Sequence, residues 1–291
     1  MRVGLSLLNN QGIEDVQFLV ELAGRAEALG FDSVWVHDHV FNVGHVYERI
    51  GDRPYYEPLT FLSYVAARTR TVRLGTSVLV LPYHNPVRLA KAAATLDVLC
   101  GGRLTLGVGV GLIEKEFEAL GSPFAERGAV TDEAIAVMKA LWTEPTPSVA
   151  GTYHRFSGMA FSPRPVQKPH IPIVIGGVSR AAIRRAARLG DGWQPLSMSP
   201  EALAQGIATL RTEVEAAGRD IAAVPVSISV PLGASGRRYA LGSTVKDVVS
   251  AARAFAALGV ERLIVSAGAR ETAEILLLVD MLAREVLPAV Q

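Results

Sequence analysis

A chain of 291 residues with 49% hydrophobic content has room for a substantial core, and at this length one α/β barrel is as natural as two smaller domains. Its 29 basic and 28 acidic residues are interspersed; the net charge of +1 argues against nucleic acid or an anionic membrane surface as a partner and leaves a small molecule or a locally bound anion. The single cysteine, Cys100, excludes an intramolecular disulfide framework, and no apolar stretch is long enough to span a bilayer. Met1-Arg2 leads directly into the strand-length run VGLSLL without a cleavable signal, so a reducing, cytoplasmic setting is expected.

In chain order one unit repeats. Arg2–Leu8 reads as a buried strand, and Glu14–Leu29 as a helix with Val16, Leu19, Val20 and Ala23 on one face; Gly30 stops it before the next strand, Ser33–His37. The punctuation recurs: Ala28-Leu29-Gly30, Arg188-Leu189-Gly190 and Ala257-Leu258-Gly259 each close a helix before a short strand-like run. Further strands are expected at Val72–Leu79, Arg103–Gly109, Ile171–Ile175, Asp191–Pro195, Val224–Val230 and Glu261–Ser266. Helices are expected at Pro58–Arg68, Pro86–Leu99, Ile113–Trp142 in pieces, Arg180–Leu189, Pro200–Ala217, Thr244–Leu258 and Glu271–Leu287. Eight strands alternating with eight helices predict a parallel (β/α)8 TIM barrel, a single domain over residues 1–291.

Three stretches break the period: Phe41–Glu57, the Pro-rich insertion Thr143–His170 and Pro231–Ser243. Long loops in a compact barrel are usually functional or mobile. The first and third leave the C-terminal ends of strands, where barrel enzymes hold their sites. The insertion enters the fifth strand from the opposite end, so it serves as a lid or dimer contact only if it crosses the barrel.

The chemistry-bearing residues sit at strand ends. Val34-Trp35-Val36-His37-Asp38-His39 closes the second strand, and period-two alternation sends His37 and His39 to one side and Asp38 to the other unless the strand has ended. Histidine exchanges a proton readily near neutrality, although either ring also serves as a bond to a neighbouring loop. A zinc site needs further ligands at later strand ends, yet after His84 the remaining histidines, His154 and His170, both lie in the insertion; no metal is expected.

The fourth strand ends in Leu106-Gly107-Val108-Gly109-Val110-Gly111, whose GxGxG spacing lacks the context of a dinucleotide fold. Gly109 and Gly111 suit either the close approach of a flat ring system or tight packing of the barrel mouth. In Pro172–Trp193, a β-branched strand runs into Gly176-Gly177 and a helix that Ser179 can cap and Gly190 ends. Free amides there, with Arg180, Arg184 or Arg185 nearby, suit a phosphate; the alternative is an ordinary βα turn.

VWVHDH, LGTSVLVLPYHNPVRLAKAAATLDVL, GGRLTLGVGVGLIEKEFEALG, FAERG and PIVIGG with LGDGW, in this order, resemble the luciferase-like flavin oxidoreductase and monooxygenase superfamily, most closely its actinobacterial branch that uses the deazaflavin coenzyme F420. The resemblance implies a (β/α)8 barrel with a flavin-like ring across the strand ends, its phosphate at the Gly-rich turn, and a homodimer. It implies a cofactor contact from Asp38, proton exchange by His39, a non-prolyl cis peptide under the ring at Ser77-Val78, and a phosphate turn at Gly176, Gly177, Val178 and Ser179. Relatives that oxidise a sugar phosphate carry a catalytic glutamate where this chain has Leu112, with Glu114 two positions on, and a tryptophan where it has Val43; a more apolar substrate is therefore expected. Cys100, where relatives often carry serine, is expected to be structural.

The function expected is hydride transfer between F420 and a small organic substrate, with His39 exchanging the proton. Gly109, Gly111, Asp38, Ser77, Val78, Gly176, Gly177, Val178, Ser179 and Arg180 are expected to hold the cofactor. The alternatives are an FMN-dependent monooxygenase fed by a separate flavin reductase, and a non-catalytic flavin-binding barrel.

Overall fold

Strands that are apolar on both faces must be covered on both faces, and here that is met by parallel pairing inside a ring of helices. The computed structural model describes residues 1–236 and 238–290. In chain order it contains β1 (Arg2–Ser6), α1 (Val16–Ala28), β2 (Ser33–Val36), α2 (His45–Ile50), α3 (Pro58–Arg68), β3 (Arg73–Val80), α4 (Pro86–Leu99), β4 (Leu104–Gly109), α5 (Glu114–Leu120) and α6 (Arg127–Thr143). There follow β5 (Val149–Ala150), β6 (Arg155–Phe156), β7 (Ile173–Gly176), α7 (Arg180–Leu189), β8 (Trp193–Gln194), α8 (Pro200–Ala216), β9 (Ser227–Pro231), α9 (Val245–Ala257), β10 (Arg262–Ser266), α10 (Thr272–Met281) and α11 (Leu287–Val290). The large sheet runs β8-β7-β4-β3-β2-β1-β10-β9 with parallel pairs throughout. Its two edges meet through parallel bridges, Trp193 with Val226 and Leu196 with Ser229, which makes the expected (β/α)8 barrel.

Local sequence explains the helix limits. Asn85 caps α4 by accepting from the amides of Val87 and Arg88, with Pro86 in the first turn where its missing N–H is harmless. Gly30 and Gly259 end their helices at φ +87° and +78°, a conformation that costs a side-chain-bearing residue. Gly190 looks the same in sequence but has φ −85°. There the reason is crowding: a Cβ would lie 2.7 Å from Ile175 Cγ1 and 3.0 Å from the Gly192 carbonyl.

The barrel floor is plugged by Trp35. Its indole lies against Gly4 and Gly75 so closely that a Cβ at either would overlap it. Its Nε1 donates to Ser33 Oγ at 2.9 Å, and the Arg262 guanidinium lies 5.7 Å from the ring while bonding Asp32 at 2.7 Å. Asp32, Arg73 and Arg262 all stand at strand starts, so this end is committed to stability and the open mouth is the other end.

Two expectations are corrected. Phe41–Glu57 is not structureless: Val46 and Ile50, one turn apart, are buried and hold α2, a helix too short to display a periodic pattern. The insertion folds as the hairpin β5–β6, clamped by the Glu133 carboxylate, which accepts from the amides of Thr152, Tyr153 and His154. It lies against α4, where a surface cavity of about 810 Å³ separates Arg88 and Lys91 from Tyr153, Phe156 and Phe161.

Candidate active site

Strand pairing on β2 stops at Val36, so alternation does not extend to the next three residues, and each finds its own partner. Asn9, following β1, accepts from the His37 amide and donates to the His37 carbonyl, both at 2.9 Å, which fixes the chain as it leaves the strand. His37 then turns inward to Ser6 Oγ at 3.1 Å. Burial pushes its imidazole down to about 4, against an opposing bond to the Ser77 backbone. Asp38 is also buried; its Oδ2 accepts from the Val80 amide at 3.0 Å and from His84 Nε2 at 2.8 Å. Burial works against the charge on His84, but the bond to Asp38 outweighs it and raises the imidazole above its ordinary range.

His39 turns into the mouth. Its ring packs edge-on against His45 (5.7 Å between centroids) and Tyr55 (5.8 Å), and its Nδ1 lies 2.6 Å from Glu116 Oε2. Glu116 is fully buried, and its other contacts are the amides of Val40 (2.8 Å) and Phe41 (3.1 Å) and the Tyr83 hydroxyl (2.9 Å). Burial alone would raise this carboxyl; the bonds from His39, Phe41 and Val40 outweigh it and hold Glu116 below its ordinary range. An ionised carboxylate only accepts, so Nδ1 of His39 carries a hydrogen. Nε2 is left without a protein partner among the described residues, free to take or give a proton toward the mouth.

Glu116 is not among the residues that the sequence singles out near the end of the fourth strand, which are Leu112 and Glu114. Leu112 is 73% exposed and Glu114 also faces solvent. The signal was present in the spacing Ile113, Glu116, Phe117, Leu120, in which a charged residue occupies an apolar helical stripe.

Ser77-Val78 is a cis peptide bond, at a register shift in β3 between Thr76 and Leu79. The Val78 side chain fills the space beside two glycines: a Cβ on Gly109 would lie 2.7 Å from Val78 Cγ2, and one on Gly176 2.6 Å from Val78 Cγ1. Gly111 is likewise blocked by Val80 and the Phe117 ring at 2.7 and 2.8 Å. Close packing, one of the two readings that the spacing leaves open, therefore suffices to keep side chains off Gly109 and Gly111.

The turn after β7 is built as expected, with two changes. Gly177 has φ +114°, and Ser179 caps α7 by accepting from the Ala182 amide at 3.2 Å. The Gly177 amide already points to the Gln194 carbonyl at 3.4 Å, so the amides without a partner among the described residues are those of Val178, Ser179, Arg180 and Ala181. Arg180 is largely exposed and shares Glu213 with Arg184, each at 3.5 Å.

Buried polar atoms without a hydrogen-bond partner are costly, and here they concentrate at one end. Among the described residues they are Asn10 Oδ1, Arg49 Nε, Tyr55 OH, both amide atoms of Gln194, and Arg127 Nε. Asn10 and Tyr55 lie in the connections that follow β1 and β2, Arg49 lies on α2 in the second of these, and Gln194 ends β8. With the open turn amides, this mouth is built to satisfy a polar ligand. A flavin-like cofactor with a phosphate and a ring bearing polar edges fits that set.

Comparison with known proteins places the chain among enzymes. The family model for luciferase-like monooxygenases matches residues 1–275. The chain is 34% identical over 223 residues to an F420-dependent glucose-6-phosphate dehydrogenase of Kineococcus radiotolerans, covering 74% of this chain and 63% of that protein. It is 30% identical over 210 residues to the FMNH(2)-dependent dimethylsulfone monooxygenase of Pseudomonas putida, covering 71% and 56%. A solved F420-dependent secondary alcohol dehydrogenase in complex with an F420-acetone adduct superposes with a TM-score of 0.84 at 19% identity, over 100% of this chain and 99% of that one, a likeness of fold.

Proposed function

The chain belongs to the luciferase-like monooxygenase family, and on that premise we propose that it is an oxidoreductase using coenzyme F420, with His39 exchanging the proton that accompanies reaction at the substrate. One observation carries the reading: His39, at the mouth, is held by a buried ionised Glu116 with its second nitrogen free, beside buried polar atoms that lack partners. The F420-dependent relative supports the choice of cofactor.

In this reading the amides of Val178 and Ser179 hold the cofactor's phosphate, Gln194 and Asp38 Oδ1 face its ring, and the cis Ser77-Val78 segment supports it. When bound, the deazaflavin accepts or supplies a hydride. The chain's own part is orientation and proton traffic. Glu116 keeps the hydrogen of His39 on Nδ1 and stabilises the charged ring, and Tyr83 and two backbone amides keep Glu116 from turning. His39 Nε2 then serves as base in one direction of reaction and acid in the other. His84 is committed to Asp38 and His37 to Ser6 and the Ser77 backbone, which leaves His39 as the histidine at the strand end with a free nitrogen. The reading includes a homodimer in the cytoplasm.

A second reading, an FMN-dependent monooxygenase fed by a flavin reductase, draws on the likeness to the dimethylsulfone monooxygenase. Incubating the protein with F420 and a panel of alcohols and aldehydes, and following the cofactor's visible absorbance, tests the first. Oxygen consumption with reduced FMN tests the second. Absorbance loss dependent on both enzyme and substrate supports F420 chemistry; oxygen-dependent product formation with FMN in its place overturns it.

A further inference from the structure

The arc of the mouth beside His39 is cationic in a way that the proton chemistry does not use. Arg49, on α2, is half-buried with its Nε lacking any partner, and Arg270, in the loop after β10, donates to the Arg49 backbone carbonyl. Among the described residues no carboxylate lies within ion-pair distance of Arg49, Arg238 or Arg270. Burial works first against the charge on Arg49, and the positive Arg270 adds to it; His45 is depressed first by burial and then by His39, Arg49 and Arg238. The buried Tyr55 hydroxyl is also without a partner, and its ring lies 5.8 Å from the His39 imidazole. A partly desolvated guanidinium without a counter-ion is a cost that folding alone does not repay, so a ligand that supplies the negative charge is called for.

The anion is not the one expected on the Gly177 turn. In the sheet order β8-β7-β4-β3-β2-β1-β10-β9, the turn follows β7, while Arg49 follows β2 and Arg270 follows β10; β4 and β3 separate the turn from β2 on one side, β8 and β9 separate it from β10 on the other. We propose that the substrate carries an oxyanion, a carboxylate or phosphate, that Arg49 and Arg270 hold beside His39 with the Tyr55 hydroxyl as a neutral donor. This rests on the reading of His39 as the proton-exchanging residue and adds a substrate class to it, in place of the more apolar substrate expected from Leu112 and Val43. A planar guanidinium fork suits either oxyanion.

The test is calorimetric titration of the full chain with inorganic phosphate and with succinate, first alone and then with the Gly177 turn blocked by saturating F420. Wild type should bind both anions in both conditions. Arg49→Met or Arg270→Met should weaken that binding by about 10-fold or more, the loss expected for one charged hydrogen bond. Arg49→Lys should recover most of it. Binding unchanged in the Arg49→Met/Arg270→Met double variant, displacement of both anions by F420, or no saturable binding by wild type overturns the proposal. An Arg49→Lys that binds no better than Arg49→Met assigns the loss to packing and also overturns it. The F420 titration is read separately: anion binding with no F420 binding rejects the cofactor reading and leaves the arginine site standing.

Discussion

Replacing Glu116 by glutamine changes one oxygen into an amide and leaves the shape almost intact, yet the geometry gives it a large effect. The buried carboxylate meets four groups: His39 Nδ1, the Tyr83 hydroxyl and the amides of Val40 and Phe41. A glutamine keeps its carbonyl toward the two backbone amides, as the carboxylate's Oε1 is placed, and so presents NH2 to His39 and Tyr83. The tyrosine hydroxyl adapts by accepting. His39 cannot accept at Nδ1 while that nitrogen carries hydrogen, so its neutral ring moves the hydrogen to Nε2, the nitrogen needed as base. Losing a charged hydrogen bond costs about 1.5–3 kcal/mol of stability. General acid–base assistance is worth about 10²–10⁴-fold, or roughly 3–5 kcal/mol of barrier, and Glu116→Gln should forfeit most of it while cofactor affinity stays within about threefold. The assay pairs turnover with nitrogen NMR of the imidazole, which reads the tautomer independently. A variant whose His39 hydrogen has moved to Nε2 but whose turnover remains within about threefold of wild type, with chemistry rate-limiting, refutes the assignment.

Further outcomes follow from the same geometry. His39→Asn, which keeps one hydrogen bond but exchanges no proton, should lower turnover by about 10²–10⁴-fold, and His37→Asn far less; turnover above about a third of wild type for His39→Asn would return the proton to water or His84. Gly177→Val should lose cofactor affinity, since φ is +114° and a Cβ there already lies 3.0 Å from Ala182 Cβ; equilibrium titration within about twofold of wild type would place the phosphate elsewhere. His37 is held neutral with its pKa at about 4, below the ordinary 6.5, so its contribution to stability is full above pH 6.5 and is lost as the pH falls toward 4, because only the unfolded chain takes up the proton. That amounts to about 3 kcal/mol, and urea denaturation of His37→Gln should show a flatter pH dependence across this window. Gly75→Ala drives a methyl into the Trp35 indole and should cost about 1–3 kcal/mol or more; an unchanged melting temperature would contradict the packing of the barrel floor.

The barrel was legible because its signals repeat. Eight buried runs, helical faces between them and the Leu-Gly stops each state the same unit, and the observed strands fall within three residues of the expected limits at nearly every end. Gly190 shows the limit of such punctuation: the same letters that require a positive φ at Gly30 and Gly259 serve close packing here. At the site, Asp38 and His39 were readable as polar residues at a strand end, but their partners were not. Glu116 lies 77 residues from His39, and only the fold brings it to 2.6 Å. Arg49 and Arg270 are 221 residues apart and individually look like solvated surface. The roles of Gly109 and Gly111 depended on where Val78, Val80 and Phe117 point, which spacing alone does not state.

The central claim is that this mouth takes F420, with its phosphate on the turn after β7. Titrating the purified protein with F420 and with FMN in parallel, following fluorescence quenching, tests it most directly, with Gly177→Val as the control. The account expects saturable F420 binding at least about tenfold tighter than FMN, weakened severely in the variant. Tight FMN binding with no response to F420, or F420 binding indifferent to Gly177→Val, would contradict it.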